Sequence, residues 1–355
     1  VNTALVKRFT SIELNSWSAS VRPRTRPTII DVARIAGVSP TTVSYVLSGP
    51  SESAARISAE TTTRILDVVD EVGYVPNQSA RTLRLRRTNR ILFLGNRLNS
   101  LYSQGRASAI EATLAPHGLG LNVQIGSGAD AIERAITMLD QNLVDGLIAE
   151  SGDSALPALR TAAQNGHAIV AVGPSSADPA FDVISSDYQP AILDAMRHAV
   201  DRGRRHFVLL STTFKPLEDH RVGVAYQELT ALGVTGADIT LHHCPHDSVI
   251  AYRAAGELLQ HIPTPAAVYG GSDVSAIGVL WACLHLNLRV PKDISIIGHG
   301  NNPETEITVP PLTSIGPIHS DFGRAAELMA ARLKDPSQPG RHITEPCRIF
   351  IRSSS

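Results

Sequence analysis

The stretch that decides the fold is Thr28-Ile29-Ile30-Asp31-Val32-Ala33-Arg34-Ile35-Ala36-Gly37-Val38-Ser39-Pro40-Thr41-Thr42-Val43-Ser44-Tyr45-Val46-Leu47. Ile29, Val32, Ala33 and Ala36 recur at three- and four-residue spacing, which lines one face of a helix with Thr28 in the N-cap position. Gly37 ends that helix. Ser39 caps a second one, and Pro40 takes the first helical position that proline favours. Val43, Val46 and Leu47 form its inner face. The pattern Ala33-x3-Gly37-x5-Val43 has the parts of a helix-turn-helix. A small residue lets two helices approach, a glycine makes the left-handed turn, and a β-branched residue packs the second helix back. Any helical hairpin shares this spacing, so the flanking sequence must give it meaning.

Downstream, residues 48–54 read as a loop. Ser58 opens a third helix with Glu60 in its first turn, running through Ile65, Leu66, Val69 and Val72 to Gly73. Pro76 and Asn77 begin a short fourth helical stretch that carries Ala80, Arg81, Leu83, Arg84, Arg86 and Arg87. Upstream, residues 1–26 read as a disordered arm. It has no apolar run for a secretory signal, and its basic, proline-broken end at Arg22–Pro27 suits a solvated tail or a phosphate contact.

Charge separates the same head from the rest. Residues 1–90 hold 13 Lys and Arg against 7 Asp and Glu, whereas residues 91–355 hold 19 against 26. A basic head on an acidic body points to a nucleic-acid-binding module joined to something that need not touch nucleic acid. The whole chain has 355 residues, a net charge of −1 and 43% hydrophobic residues, which excludes a disordered or fibrous chain and favours two or three domains. No apolar run approaches the ~18 residues of a membrane span. Cys244, Cys283 and Cys347 form no framework, which suits a reducing compartment.

Beyond residue 90 the chain alternates strand and helix. Apolar runs at 91–95, 119–125, 146–149, 168–173, 183–185, 207–211, 239–242, 266–269 and 294–298 read as buried strands. Amphipathic stretches at 104–114, 131–139, 192–200, 250–259 and 275–286 separate most of them. Such alternation means parallel sheets covered on both faces, and the strand number suits two doubly wound subdomains side by side.

The run 28–47 resembles the DNA-binding headpiece of the lactose-repressor/galactose-repressor (LacI/GalR) family. Residues Gly73-Tyr74-Val75-Pro76-Asn77-Gln78-Ser79-Ala80-Arg81-Thr82-Leu83 are similar to that family's third helix end and hinge helix. Val144–Ile148, Ser272-Asp273-x2-Ala276-x-Gly278, Arg289-Val290-Pro291-x-Asp293-Ile294-Ser295 and Pro311–Ile315 continue the likeness in family order over about residues 27–352. The resemblance implies an α/β chain: an all-α helix-turn-helix headpiece at 27–75, a hinge helix and linker at 76–89, and a periplasmic-binding-protein-like body at 90–352. The body would be two doubly wound parallel subdomains, about 90–187 with 318–344 and 188–317 with 345–352. It also implies a cytoplasmic transcription regulator, most often a repressor, that binds double-stranded operator DNA under control of a small-molecule effector. No leucine heptads follow the last strand at 348–352, so a homodimer on a near-palindromic operator is expected rather than a tetramer.

In such a headpiece the second helix enters the major groove. The positions matching the family's base readers are Pro40, Thr41 and Tyr45. A phenol offers one hydrogen bond and a ring face for a thymine methyl, not a bidentate guanine contact; a phosphate or packing contact is the other reading of Tyr45. Thr28, Ser39, Thr42 and Ser44 read as phosphate binders or caps. In the family's hinge helix Leu83 wedges into a minor-groove base step with Asn77, Ala80 and Arg81 beside it; packing on a core is its alternative.

The effector of such a body lies between the subdomains, at the carboxyl ends of the strands. Arg221 matches the family's ligand-clamping arginine, against which stand a local ion pair with Glu218 or Asp219 and a reading in which His220 takes its place. Tyr102, Glu150, His246, Ser272, Asp273 and Asn301 are the other effector candidates. The run Ile297-Gly298-His299-Gly300-Asn301 departs from the family's Gly-aromatic-Asp-Asp, because Gly300 stands where an acid binds sugar hydroxyls. A carbohydrate-related effector larger or differently charged than a plain monosaccharide fits that departure. His242, His243, Cys244, His246 and Asp247 have metal-ligand types, but Pro245 breaks any common face, so no metal is expected. No nucleophile motif or dinucleotide fingerprint stands out, so neither an enzyme nor a cofactor is expected.

Overall fold

A computed structural model describes residues 27–47, 55–75, 87–96, 101–318 and 323–355, with the side chains of Leu101 and Tyr102 outside that description. The chain divides after Leu85 into two compact units.

The first unit holds α1 (Ile29–Ala36), α2 (Pro40–Leu47) and α3 (Ala59–Val72). Each start is set by a short polar side chain. Thr28 and Asp31 cap one another reciprocally, Ser39 Oγ accepts the Thr42 N–H at 3.1 Å, and Ser58 Oγ accepts the Thr61 N–H at 3.2 Å. Gly37 has φ +68°, the left-handed conformation that lets the chain turn between α1 and α2. Val32, Ala33, Ala36, Val43, Ile65 and Val68 form the buried core. Along α3, Leu66 is exposed and Val68 is buried, because Ile65, Val68, Val69 and Val72 hold one stripe and Leu66 lies off it.

In chain order the second unit comprises β1 (Arg90–Gly95), α4 (Leu101–Leu114), β2 (Gly120–Ile125), α5 (Ala129–Asp140), β3 (Gly146–Glu150), α6 (Leu156–Gln164), β4 (Ala168–Val172) and β5 (Asp182–Asp187). Then come α7 (Gln189–Asp201), β6 (His206–Ser211), α8 (His220–Ala231), β7 (Ile239–His243), α9 (Ser248–Leu258), β8 (Ala266–Gly270) and α10 (Asp273–His285). Last are β9 (Ile294–His299), α11 (Glu304–Ile307), β10 (Thr313–Pro317), α12 (Arg324–Lys334) and β11 (His342–Phe350). The strands lie in the order β2-β1-β3-β4-β5-β11-β10-β9-β8-β6-β7. All neighbours are parallel except β10 and β11.

The strands are apolar throughout because both faces are covered. In β1, Leu92 and Leu94 pack toward α5 and α6, while Ile91 and Phe93 pack toward α4 and α12. In β6, Phe207 and Leu209 face α7 and α8, while Val208 and Leu210 face α9 and α10. Each fully buried side chain of this kind contributes about 1.5–3 kcal/mol.

Strand β11 sets the geometry of the site. It runs parallel to β5 up to the pair Pro346 and Asp187, then antiparallel to β10 from the pair Cys347 and Pro317. The carboxyl ends of the strands in the two halves of the sheet therefore point at each other across residues 346–347. The body also runs past residue 352: Ser354 Oγ donates to Ile296 O at 2.6 Å and accepts from Thr313 N at 2.8 Å, and both Ser354 and Ser355 are buried.

Candidate functional site

On the first unit, Ser39, Pro40 and Thr41 are exposed at the start of α2, and Thr41 shares a helix face with the half-buried Tyr45. No acidic residue lies in the first turn of α2. Thr28 spends its hydroxyl on Asp31, and Ser39 shares a hydrogen with Thr42 Oγ1 at 2.8 Å. Those hydroxyls thus act as caps here. Asn77, Ala80, Arg81 and Leu83 lie outside the described residues.

On the body, the opposed strand ends gather one continuous set of polar groups. From the first half come Asn96 after β1, Glu150 at the end of β3, and Asp153. Glu150 accepts the Asn96 N–H at 2.9 Å and pairs with the Arg106 guanidinium. Asp153 is held low: burial works to raise its pKa, and hydrogen bonds from Ser175 and Ser176 more than offset it. The second half supplies Arg221, His220, His299 and Asp219, with Tyr188 at the crossing between β5 and α7. The side chain of Tyr102 is outside the description.

Arg221 is the second residue of α8, whose N-cap is Asp219. Its Nε lies 3.4 Å from Asp219 Oδ1, and its Nη2 donates to Thr212 Oγ1 at 3.4 Å. Asp219 is 6% exposed and also accepts from Ser211, Thr212 and the Arg221 N–H. Burial alone would raise its pKa; the Arg221 charge and these bonds hold it below the ordinary value. Of the two acids weighed as local partners, Asp219 takes the arginine, and Glu218 goes to Lys215 at 2.7 Å.

His299 lies beneath this pair. Its Nδ1 is 2.9 Å from Tyr269 Oη, and its ring packs edge-on to Tyr188 at 5.3 Å between centroids. Burial, reinforced by the Arg221 charge, lowers its pKa well below the usual value, so the ring is neutral at pH 7. Tyr188 also meets His220 edge-on at 5.7 Å. Farther out, Phe214 stacks on His243 with centroids 4.0 Å apart and stays 88% exposed. His246, at the turn before α9, is half-buried and engaged.

Two expected effector contacts are turned inward. Ser272 is 1% exposed and its Oγ caps α10 by accepting Ser275 N at 3.2 Å. Asp273 is 0% exposed; it accepts Asn302 N at 2.7 Å and Ser314 Oγ at 2.5 Å. Burial pushes its pKa up to about 7, against those hydrogen bonds. Ser272 is committed to capping α10 and Asp273 to joining α10 to the β9–β10 connection, which is the physical reason they are not presented to a ligand. Asn301 has φ +52°, and its Oδ1 accepts Arg352 Nη2 at 2.8 Å. Gly300 does not open a void. Its φ is +133°, and a Cβ there would sit 2.9 Å from Asn302 Oδ1 and 3.0 Å from Asp273 Oδ2.

Sequence reading does not reach Tyr188, His299 and Arg106, and it gives Asp219 only as an ion-pair partner of Arg221, not as the N-cap of α8. Asp219 was detectable as an N-cap type just ahead of a helical run. The others had no local signal, because only the strand crossings bring them to the site. Among the described residues no group of histidine, cysteine and acid side chains has a metal-binding arrangement, and no helix is long and apolar enough to cross a membrane.

A capped three-helix unit with an open second helix, joined to a two-sided α/β body with opposed strand ends, defines a DNA-binding regulator with a sensor domain. Residues 28–77 match the description of the lacI family of bacterial regulatory proteins, and residues 196–355 match the periplasmic binding protein-like domain. Catabolite control protein A of Priestia megaterium is 25% identical over 336 residues, covering 92% of this chain and 99% of that protein. The HTH-type transcriptional repressor PurR of Vibrio vulnificus is 29% identical over 334 residues, covering 92% and 98%. The solved lac repressor dimer bound to operator and the anti-inducer ONPF has the same fold, with TM-score 0.76 and 23% identity over 92% of this chain and 98% of that one. A complex of the transcriptional regulator CelR with cellobiose gives TM-score 0.63 at 22% identity, over 93% and 100%.

Proposed function

We propose that this chain is a homodimeric, cytoplasmic repressor in which α2 reads a near-palindromic operator and a carbohydrate-related molecule between the two halves of the body sets the DNA-binding state. The observation that carries this reading is a capped helix-turn-helix unit in one chain with two facing rows of strand ends. A recognition helix reads bases with its N-terminal residues, and here those are the exposed Pro40 and Thr41, with Tyr45 one turn on. The relatives named as repressors, and the solved relatives holding operator, ONPF or cellobiose, support the same reading.

The halves of the body are taken as 90–187 with 318–344 and 188–317 with 345–352. Glu150, Tyr102, Arg221, His246 and Asn301 border the gap between them. A ligand touching both halves favours one closure, and it shifts DNA binding only by its differential affinity for the two closures. Arg221 reaches such a ligand by sharing its guanidinium between Asp219 and the effector.

The test is a footprint of the full chain on its own upstream DNA, repeated with sugars, sugar acids, polyols and sugar phosphates. A near-palindromic protected site, released by one compound, is expected. Arg221→Ala is expected to protect the same site and to lose the response. Full response in that variant would leave Arg221 as no more than the partner of Asp219.

A further inference from the structure

We infer that the first half of the body carries a ligand pocket of its own, a slot between α5 and α6 that takes a neutral, slender molecule with a hydroxyl-bearing head and an apolar tail. The cavity holds about 670 Å³, within the roughly 300–1,000 Å³ of small-molecule sites. Its lining runs from Gly128 to Asp140 along α5. At 1.5 Å per helical residue that is a slot about 18 Å long. All of its lining residues fall between Leu94 and Ala158, so the first half forms it unaided. Glu150 belongs both to this slot and to the gap between halves, and the inference does not depend on the operator reading.

The strand-end mouth and the middle of the slot differ in chemistry. At the strand ends stand Asn96, Ser127, Glu150 and Ser151. The hydroxyl oxygen of Ser151 is buried without a hydrogen-bond partner. A buried polar atom left in that state calls for a partner that the protein itself does not supply. A carboxylate, an amide and two hydroxyls make a set suited to ligand hydroxyl groups. Deeper in, Ile132 and Ile136 of α5 line the slot together with Ala155, just ahead of α6, and Ala158 of α6. The small alanines leave the width, and the isoleucines make the wall apolar.

Charge narrows the ligand further. Glu133, Asp140 and Glu150 line the cavity, and no lysine or arginine does. Around these acids, Arg106 pairs with Glu150, and His167 Nε2 lies 2.7 Å from Asp140 Oδ1. A phosphate or carboxylate would enter against like charge, whereas a neutral head meets only acceptors and donors.

The experiment is calorimetric titration of the full chain with methyl β-D-glucoside, n-hexyl β-D-glucoside and hexanoate. Burying a methylene is worth about fourfold in affinity, so the hexyl compound is expected to bind at least ~10-fold tighter than the methyl one, with hexanoate weaker than both. Ala158→Phe fills the slot from an exposed helix position. It is expected to bring the hexyl-to-methyl ratio near one and leave the melting temperature in place, while Ala158→Ser keeps the ratio. Arg221→Ala, which leaves the slot intact, should keep it too. The inference is overturned if the hexyl chain gives no gain in the native chain, if the gain survives Ala158→Phe, if hexanoate binds as tightly, or if Arg221→Ala abolishes the gain.

Discussion

At the residue scale, Gly300 shows how a substitution that looks like lost function is a packing decision. The backbone conformation at φ +133° suits glycine, and the space ahead of a Cβ belongs to Asn302 and Asp273. Gly300→Asp is expected to destabilise the chain by about 1–3 kcal/mol through backbone strain alone, with a further loss from like charge beside Asp273. Thermal unfolding of Gly300→Ala and Gly300→Asp separates the two effects; equal melting temperatures for all three proteins would contradict it. Asp273 itself gives a pH signature. Its folded pKa is raised to about 7 from the usual 3.8, so between those values the folded state holds more protons than the unfolded one. Stability contributed by this group therefore falls as pH rises through that window, and the loss is complete above about pH 7. Chemical unfolding at pH 5 and pH 8 should show the drop, and Asp273→Asn should flatten it. The sequence identified Asp273 and Arg221 as chemically important but not how they are used. Asp273 is placed by Ser314, 41 residues away, through a contact invisible to periodicity.

At the scale of elements, the strands and helices were the most legible part, because apolar runs and helical stripes are local. The starts of α1, α2 and α3 follow from Thr28, Ser39 and Ser58, each a side-chain oxygen accepting an N–H. Helices α6 and α12 were not picked out: Pro157 opens the one, and alanine-rich spacing blurs the stripe of the other. What joins β5, α12 and β11 was also beyond local reading. Asp182 is fully buried and receives Arg332 Nε at 2.9 Å and Arg341 Nε at 2.8 Å. Burial would raise its pKa, but hydrogen bonds from Arg341 and Arg332 hold it low. Its contribution is thus complete above the ordinary aspartate value of about 3.9 and is lost as pH falls through the lowered folded value. Asp182→Ala leaves Arg332, only 2% exposed, as an unpaired buried charge. A loss of about 3–5 kcal/mol is expected, read by denaturant unfolding at pH 7. Replacing both partners with apolar residues, Asp182→Leu with Arg332→Met, should recover most of it; no recovery would place the defect elsewhere.

At the scale of the molecule, a head that reads half of a near-palindrome needs a second copy held at a fixed spacing. The body offers a surface for that copy. Helices α9 and α10 pack so closely that a Cβ at Gly278 would lie 2.4 Å from Ser248 O, and the pair forms one rigid face. On its outer side Val249, Ile250, Trp281 and Leu284 remain 51%, 45%, 47% and 58% exposed. Single exposed apolar residues are ordinary, but four large ones on one helix pair make this face the expected site of pairing. A lattice of charged residues would keep a monomer's surface soluble; an aromatic anchor in an apolar patch is what a stable interface uses at its centre. Two-fold symmetry then sets the same patch against itself, so each substitution acts twice. The double variant Trp281→Arg, Leu284→Glu is expected to sediment as a monomer at concentrations where the native chain is a dimer. Its first unit is untouched, so it should keep salt-sensitive, non-specific DNA binding while operator affinity falls by at least ~100-fold, because only one half-site is engaged at a time. The single change Val249→Asp should weaken the dimer less than Trp281→Arg, which removes the aromatic anchor. A double variant that remains dimeric would move the interface to another face of the body, and one that is monomeric yet binds the operator at native affinity would break the link between pairing of bodies and reading of DNA.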